Sequence, residues 1–144
     1  MNQEQSQMMG AFLWGKKADT KLLKSDLTEN QDSLLAECVW QNGNKHSRSF
    51  CFNKADKLVI EDDMAATTDS YATLVLHPAC QVKVENGKAV IQRGAITVCI
   101  ETNIEPTIEK CWYSEEYGKE NETHKLCYPL NDNKLKTRIW IEKY

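Results

Sequence analysis

The sequence predicts an all-β protein, an antiparallel β-sandwich of roughly ten or eleven short strands. Three observations predict this class. Apolar residues recur with a period of two, not with the 3.6-residue period of a helix. Turn-forming residues separate the apolar runs at short intervals. The three prolines, Pro78, Pro106 and Pro129, fall at the ends or edges of these runs, where a missing backbone N–H does not interrupt a ladder.

The alternation is clearest in the second half of the chain. Ile96, Val98 and Ile100 alternate with more polar residues, and the pattern repeats over 80–85 and 135–142. Because successive side chains point to opposite faces of a strand, each run has one buried and one wetter face. We predict strands over residues 11–24 (continuous or broken), 33–40, 47–53, 57–62, 71–77, 80–85, 88–92, 95–102, 107–113, 124–128 and 135–142.

Turn signals define the connections between these strands. Asn86-Gly87 and Asn42-Gly43 predict tight hairpins, since both residue types tolerate positive φ. Arg93-Gly94, the Asn-Asp-Asn run at 131–133 and the segment 53–56 mark further reversals. The one helical turn that the pattern allows is near residues 62–68.

Length and charge restrict the class of protein. A chain of 144 residues that is 41% apolar predicts a single domain, over residues 1–144, with a real core. Its net charge of −3 argues against a nucleic-acid partner, which normally requires a basic excess. No apolar run approaches the length of a membrane span, so we expect no membrane partner.

The six cysteines are widely spaced. No two lie closer than twelve residues, so the close pairs of zinc knuckles and redox motifs are absent from the sequence. An even number leaves a disulfide framework open. The chain is long enough to fold without one, and most of the cysteines lie in strand-like runs, which favours free thiols that serve as small apolar residues.

Residues for catalysis or metal binding are few. His46, His77 and His124 lie on three separate segments and form no ligand pair, so we predict surface or strand-end histidines. The acidic run at 61–63 does not fit a calcium loop and is interpreted as a solvated turn. The sequence therefore predicts neither a catalytic nor a metal-binding residue.

An aromatic stretch at residues 111–118 offers a candidate binding site. Trp112, Tyr113 and Tyr117 lie beside carboxylates at a strand-to-loop junction, where aromatic rings can stack on sugars. With His77, whose backbone the following proline keeps extended, they form the candidate carbohydrate-binding set. The alternative is that Trp112 packs in the core and that the hydroxyl of Tyr113 or Tyr117 holds the loop in place.

Five segments in order resemble the heparinase II/III-like family of polysaccharide lyases. The closest are Leu-Val-Leu-His-Pro at 74–78, which matches a Leu-His-Pro motif, and Trp-Tyr-Ser-Glu-Glu-Tyr-Gly at 112–118, which is similar to Trp-Tyr-Ser-Pro-Glu-Phe-Gly. In the second motif Glu115 replaces the proline. The others are 2–8 with 12–18, similar to Gln-x-Gln-Ser followed by Phe-x-x-Gly-Arg-Arg-Ala, 46–49, similar to a His-Arg-Arg strand, and 58–62, similar to Leu-Val-Val-Glu-Asp.

This resemblance implies that the chain is the C-terminal portion of a longer lyase. Such lyases have an N-terminal α/α toroid followed by stacked antiparallel sheets, and they cleave uronate-containing polysaccharides by β-elimination. Their catalytic Tyr and His and their metal-binding His and Asp lie upstream, in motifs such as Gly-His-Ala-Asp that this sequence lacks. We therefore expect the isolated chain to be inactive and to hold no cofactor.

The resemblance also implies partners and a location. The partners are the upstream toroid and, through the full-length protein, an acidic polysaccharide. A divalent metal such as zinc would bind in the upstream part. The family is mostly bacterial and often exported, which favours the periplasm or the extracellular space. Two alternatives stay open: a free-standing carbohydrate-binding module, and a structural or assembly domain whose motif matches are accidental.

Overall fold

The computed structural model describes residues 6–10, 13–65 and 70–142, and these residues form thirteen β-strands and one short 3-10 turn, Asn131–Asn133. The strands are β1 (Ser6–Gly10), β2 (Leu13–Lys17), β3 (Asp19–Leu27), β4 (Gln31–Val39), β5 (Lys45–Asn53), β6 (Leu58–Ala65), β7 (Ser70–Val75), β8 (Gln81–Glu85), β9 (Lys88–Arg93), β10 (Ile96–Thr102), β11 (Thr107–Tyr113), β12 (Asn121–Leu130) and β13 (Lys134–Ile141).

The strands confirm the predicted all-β sandwich. Every pair is antiparallel. An eight-stranded sheet has the order β3-β4-β5-β6-β13-β10-β9-β8, a three-stranded sheet has the order β11-β12-β7, and β1 and β2 form a hairpin. The number of strands exceeds the prediction because β1 was not expected and because the predicted strand 11–24 is divided into β2 and β3 at Ala18. Residues 11 and 12 lie outside the described part.

The predicted hairpin turns are present. Asn86 and Gly87 both have positive φ, 52° and 74°, and connect β8 to β9. Gly43 has a φ of 82° in the turn between β4 and β5, where the Trp40 N–H donates to the Asn44 carbonyl over 2.8 Å. Glycine adopts this region of φ without strain and asparagine tolerates it better than most residues, which explains Gly43, Asn86 and Gly87 at these turns.

The predicted helical turn is wrong over the part that the structure describes. Residues 62–65 continue β6, which pairs with β5 over its full length, and residues 66–69 lie outside the described residues. The acidic run at 61–63 is part of this strand and not a solvated turn. Ladder pairing on both sides of β6, with β5 and β13, outweighs the weak strand propensity of the acidic residues.

The core lies between the three-stranded sheet and one half of the large sheet. It contains Leu126 and Tyr128 of β12 and buried residues of β9, β10 and β13. Leu126 is fully buried. None of the described residues of β3, β4, β5 or β6 belongs to this cluster. The small sheet therefore covers the β13-β10-β9-β8 half and leaves the β3-β4-β5-β6 half without a comparable cover.

All six cysteines lie within the described residues and are free thiols. Cys99 and Cys127 are buried, and burial raises the pKa of both thiols. They act as small apolar residues, as the sequence predicts. The described residues contain no helix that is long and apolar enough to cross a membrane.

The core predicts the effect of truncating Leu126. Leu126→Ala removes a fully buried side chain, and we expect it to lower the free energy of unfolding by about 2–5 kcal/mol. Its register partner Leu74 is exposed, so Leu74→Ala is the matched control and should cost clearly less. Urea denaturation of both variants measures the difference, and equal losses would contradict this description of the core.

Candidate functional site

The aromatic stretch lies at the end of β11 and in the loop that follows. Trp112 and Tyr113 are consecutive in β11, so their side chains point to opposite faces of the three-stranded sheet. Trp112 is 66% exposed and Tyr117 is fully exposed. The alternative in which Trp112 packs in the core is therefore wrong, because β11 is an edge strand and its end lies beyond the core cluster.

Tyr113 and His77, two members of the candidate carbohydrate-binding set, are in contact. Their rings are tilted by 59°, with centroids 5.5 Å apart. His77 Nε2 lies 2.5 Å from Glu115 Oε1, and the backbone N–H of Ala79 donates to His77 Nδ1 over 3.0 Å. Because Nδ1 accepts this bond, the ring proton lies on Nε2. The Nε2–H group donates a hydrogen bond to the Glu115 carboxylate. The pair fixes the orientation of the imidazole.

Trp112 and Tyr117 are not part of this contact. Neither side chain has a hydrogen bond or ring partner among the described residues. The loop is held instead by Ser114, whose Oγ donates to the Glu116 carbonyl over 2.8 Å, and by a turn from Glu116 to Lys119. The predicted set thus divides into a His77–Tyr113 pair and two separate exposed rings.

The charge around these rings is acidic. The segment 113–122 contains four glutamates and one lysine. Lys110 is already paired with Glu122 at 2.8 Å, and Lys119 with Glu116 at 2.6 Å. A ligand held here would bind by ring stacking and hydrogen bonds, because like charge repels a polyanion.

A second polar cluster lies on the large sheet, where sequence analysis predicted only a surface histidine and a solvated turn. Asp62 Oδ1 accepts hydrogen bonds from His46 Nε2 and Arg48 Nε, both over 2.6 Å. The Asp62 side chain is almost completely buried. Trp40 stacks on the His46 ring at 6.3 Å. The prediction for Asp62 is therefore wrong.

Strand register explains why these residues meet. His46 and Arg48 are two residues apart on β5 and share a face, and Arg48 lies directly opposite Asp62 of β6. The alternation His-x-Arg in a strand was the available signal. The partner could not be found without the register of β5 on β6.

The pKa of Asp62 results from opposing effects. Burial raises the pKa, but the hydrogen bonds and positive charge of His46 and Arg48 outweigh it and hold the pKa below its usual value. The carboxylate is therefore ionised at neutral pH, and its interaction with these two residues stabilises the folded state.

The described residues do not fit a metal site. No three His, Cys, Asp or Glu side chains converge within them. Two histidine–carboxylate pairs are present, His46–Asp62 and His77–Glu115, and the third group at the first pair is the Arg48 guanidinium, which is not a metal ligand. The zinc that the family resemblance implies finds no ligand set in this part of the chain.

The comparisons with known proteins agree with the fold. The family model described as heparinase II/III-like, C-terminal, matches residues 1–142. The chain therefore belongs to the heparinase II/III-like family, as the motifs predicted, and the alternative of accidental motif matches is wrong. No curated protein sequence matches the chain.

Solved structures of similar fold include three described by their names as lyases or heparinases. A heparan sulfate lyase HepC mutant from Pedobacter heparinus has a TM-score of 0.72 at 13% identity over 87% of this chain. A structure of heparinase III gives 0.71 at 15% over 88%, and the heparinase III-BT4657 gene product gives 0.69 at 17% over 87%. The chain spans only 22% of the length of each.

The Asp62 cluster predicts a pH-dependent stability. A carboxyl whose pKa is lowered by folding stabilises the protein above the unfolded pKa of about 3.9, and this contribution is lost as the pH falls through the lower folded value. Asp62→Asn removes the contribution. We expect about 1–3 kcal/mol less stability than the parent at neutral pH, with the difference shrinking in acid.

Asp63→Asn is the matched control for this prediction. Asp63 is the next residue and is exposed, and its Oδ2 lies 3.6 Å from Lys134 Nζ. Losing this exposed ion pair should lower the free energy of unfolding by at most about 1 kcal/mol. Denaturation curves recorded from neutral to acidic pH measure the stability of the parent, Asp62→Asn and Asp63→Asn. If the difference in stability between the parent and Asp62→Asn does not change with pH, the role assigned to Asp62 is wrong.

Proposed function

We propose that the chain is the C-terminal β-sandwich domain of a polysaccharide lyase. In this proposal the full-length protein cleaves a uronate-containing polysaccharide by β-elimination. The domain supports an upstream catalytic α/α toroid and contributes one wall of the sugar cleft. The observation that carries the proposal is the family match over residues 1–142. The names of the similar structures and the small share of them that the chain spans support it.

The chemistry of β-elimination favours a supporting role for this domain. The reaction needs a base to take the proton next to the uronate carboxylate, an acid for the leaving oxygen and a group that neutralises the carboxylate. The described residues offer two histidine–carboxylate pairs. One is buried at Asp62, and the other, at Glu115, stands in an acidic surface segment. In both pairs the carboxylate holds the histidine Nε2, and in the pair that has a cation beside it, Arg48, the carboxylate is buried away from a substrate.

The proposal predicts where activity resides. The full-length protein should release unsaturated uronate products from a heparan sulfate-type or other uronate polymer, whereas the purified 144-residue chain should release none. Ultraviolet absorbance of the unsaturated product measures both under the same conditions. Robust product formation by the isolated chain would contradict the assignment of catalysis to the upstream part.

A free-standing carbohydrate-binding module is the second candidate. The exposed rings of Trp112 and Tyr117 favour it, since an exposed aromatic ring next to polar groups is a common surface for stacking sugars. In this reading Trp112 and Tyr117 are the stacking rings, whereas Tyr113, on the opposite face of the sheet from Trp112, forms a separate pair with His77.

The module hypothesis predicts saturable binding of oligosaccharides that depends on these rings. Trp112→Ala and Tyr117→Ala should each weaken binding without lowering the melting temperature, because both side chains are exposed. Tyr71→Ala, an exposed tyrosine on β7 at the other edge of the small sheet, is the control. Calorimetric titration measures the affinities. If both ring variants bind like the parent, the stacking surface does not exist.

A further inference from the structure

A polar groove lies on the outer face of the large sheet, the side turned away from the core. Register aligns two rows of polar side chains across β5, β6 and β13, which are Ser47–Asp63–Lys134 and Ser49–Glu61–Lys136. Because side chains alternate along a strand, both rows lie on the side opposite to Leu135, which belongs to the core. The rows enclose a groove of about 460 Å³, which Asn103 and Leu35 also line. Its volume lies within the range of small-ligand sites, about 300–1,000 Å³.

The two serine hydroxyls of the groove are available to a ligand. Ser47 and Ser49 are two residues apart on β5, so both point to the same face. Both residues are half-buried, and neither hydroxyl forms a hydrogen bond within the described residues. The backbone that carries them is fixed, since β5 pairs with β4 on one side and with β6 on the other. Each hydroxyl can donate one hydrogen bond and accept others.

Asn103 adds a donor of fixed orientation. The backbone N–H of Lys136 donates to Asn103 Oδ1 over 2.7 Å, and the Asn103 N–H donates to the Lys136 carbonyl over 3.3 Å. Because the Lys136 N–H needs an acceptor, the oxygen of the Asn103 amide faces β13. The amide NH₂ group has no hydrogen bond in the part of the chain that the structure describes, so it offers its two donors to the groove.

The charged side chains on this face are paired and cancel each other. Lys136 Nζ lies 2.6 Å from Glu61 Oε1, and Lys134 Nζ lies 3.6 Å from Asp63 Oδ2. A surface with equal numbers of both charges gives a polyanion no net attraction, but it places hydrogen-bond donors beside acceptors. Donors beside acceptors fit the hydroxyl groups of a sugar, and Leu35 offers an apolar contact to the C–H groups of a ring.

We infer that this groove binds an oligosaccharide through its hydroxyl groups. The hydroxyls of Ser47 and Ser49 and the amide NH₂ of Asn103 bind the sugar from one side of the charge pairs. The carboxylates of Glu61 and Asp63 accept hydrogen bonds from its hydroxyls. The inference goes beyond the proposed function, because it assigns to the large sheet a sugar site separate from the exposed rings of the small sheet. It requires no upstream domain.

NMR titration of the isotope-labelled 144-residue chain tests the inference. The probes are two hexasaccharides, one derived from cellulose and neutral, the other built of alternating glucuronate and N-acetylglucosamine. At least one probe should shift the amide signals of Ser47 and Ser49 and the side-chain NH₂ signals of Asn103 in a saturable way. Added salt should change the affinity little, because hydroxyl groups and not charges are recognised.

Three results of the titration would overturn the inference. The first is that neither probe shifts these signals at millimolar concentration. The second is that the shifts are confined to Trp112 and Tyr117, which would place the sugar on the exposed rings. The third is binding that disappears at high salt, since charge would then be the recognised feature.

Serine substitutions show whether the hydroxyls take part. The double variant Ser47→Ala/Ser49→Ala should bind the probe roughly tenfold more weakly, because two hydrogen bonds are lost. Ser33→Ala is the matched control, since Ser33 is a half-buried serine on β4, on the same face and outside the groove lining. Both proteins should melt at the temperature of the parent. Parent-like binding by the double variant would overturn the inference.

Asn103→Asp tests the amide separately. Aspartate keeps the oxygen that accepts the Lys136 N–H and removes the NH₂ group, so the variant should fold like the parent and bind several-fold more weakly. Unchanged binding by a folded Asn103→Asp protein would show that the NH₂ group does not contact the sugar, contrary to the inference.

Discussion

The last strand of the chain holds the large sheet together. β13 pairs with β6 on one side and with β10 on the other, so within the described residues the two halves of the sheet meet only through it. The 3-10 turn before β13, in which Asp132 and Asn133 have positive φ, carries the chain from the small sheet to the large one. Both pairings join segments distant in sequence, so the sheet cannot be completed until the C-terminal strand has docked.

This arrangement also divides the molecule into two environments. On one side of β13, the small sheet covers strands β8 to β10 and forms the core around Leu126. On the other side, the same sheet continues for four strands without that cover. Asp62 lies at the border, directly opposite the core residue Leu135. There its charge is retained in a buried position because His46 and Arg48 bind the same oxygen.

The local features were predictable from the sequence, and the long-range ones were not. Alternation located eleven strand segments, and Asn86-Gly87 identified a hairpin because the signal and the structure lie within a few residues of each other. The insertion of β13 between β6 and β10 depends on pairing across most of the chain, which periodicity does not encode. For the same reason Asp62 was misread as part of a turn. Its neighbours Glu61 and Asp63 face solvent, and only the β5 register shows that Asp62 does not. For Trp112, the alternation predicted a strand at 107–113. It did not show that the end of this strand lies beyond the core, where Trp112 is exposed.

Membership in the heparinase II/III-like family gives these features a common interpretation. In the proposed function, the half of the large sheet without a cover belongs to one domain of a longer protein. In the same proposal, the acidic surface near Trp112 belongs to a domain that supports catalysis elsewhere in the protein.

The mass of the native protein tests this account most directly. An immunoblot of source cells with an antibody raised against this chain would measure it. The account predicts a band several-fold heavier than 16.5 kDa, as the 22% share of the similar structures implies. A single band at 16.5 kDa would contradict it and would show a self-sufficient domain.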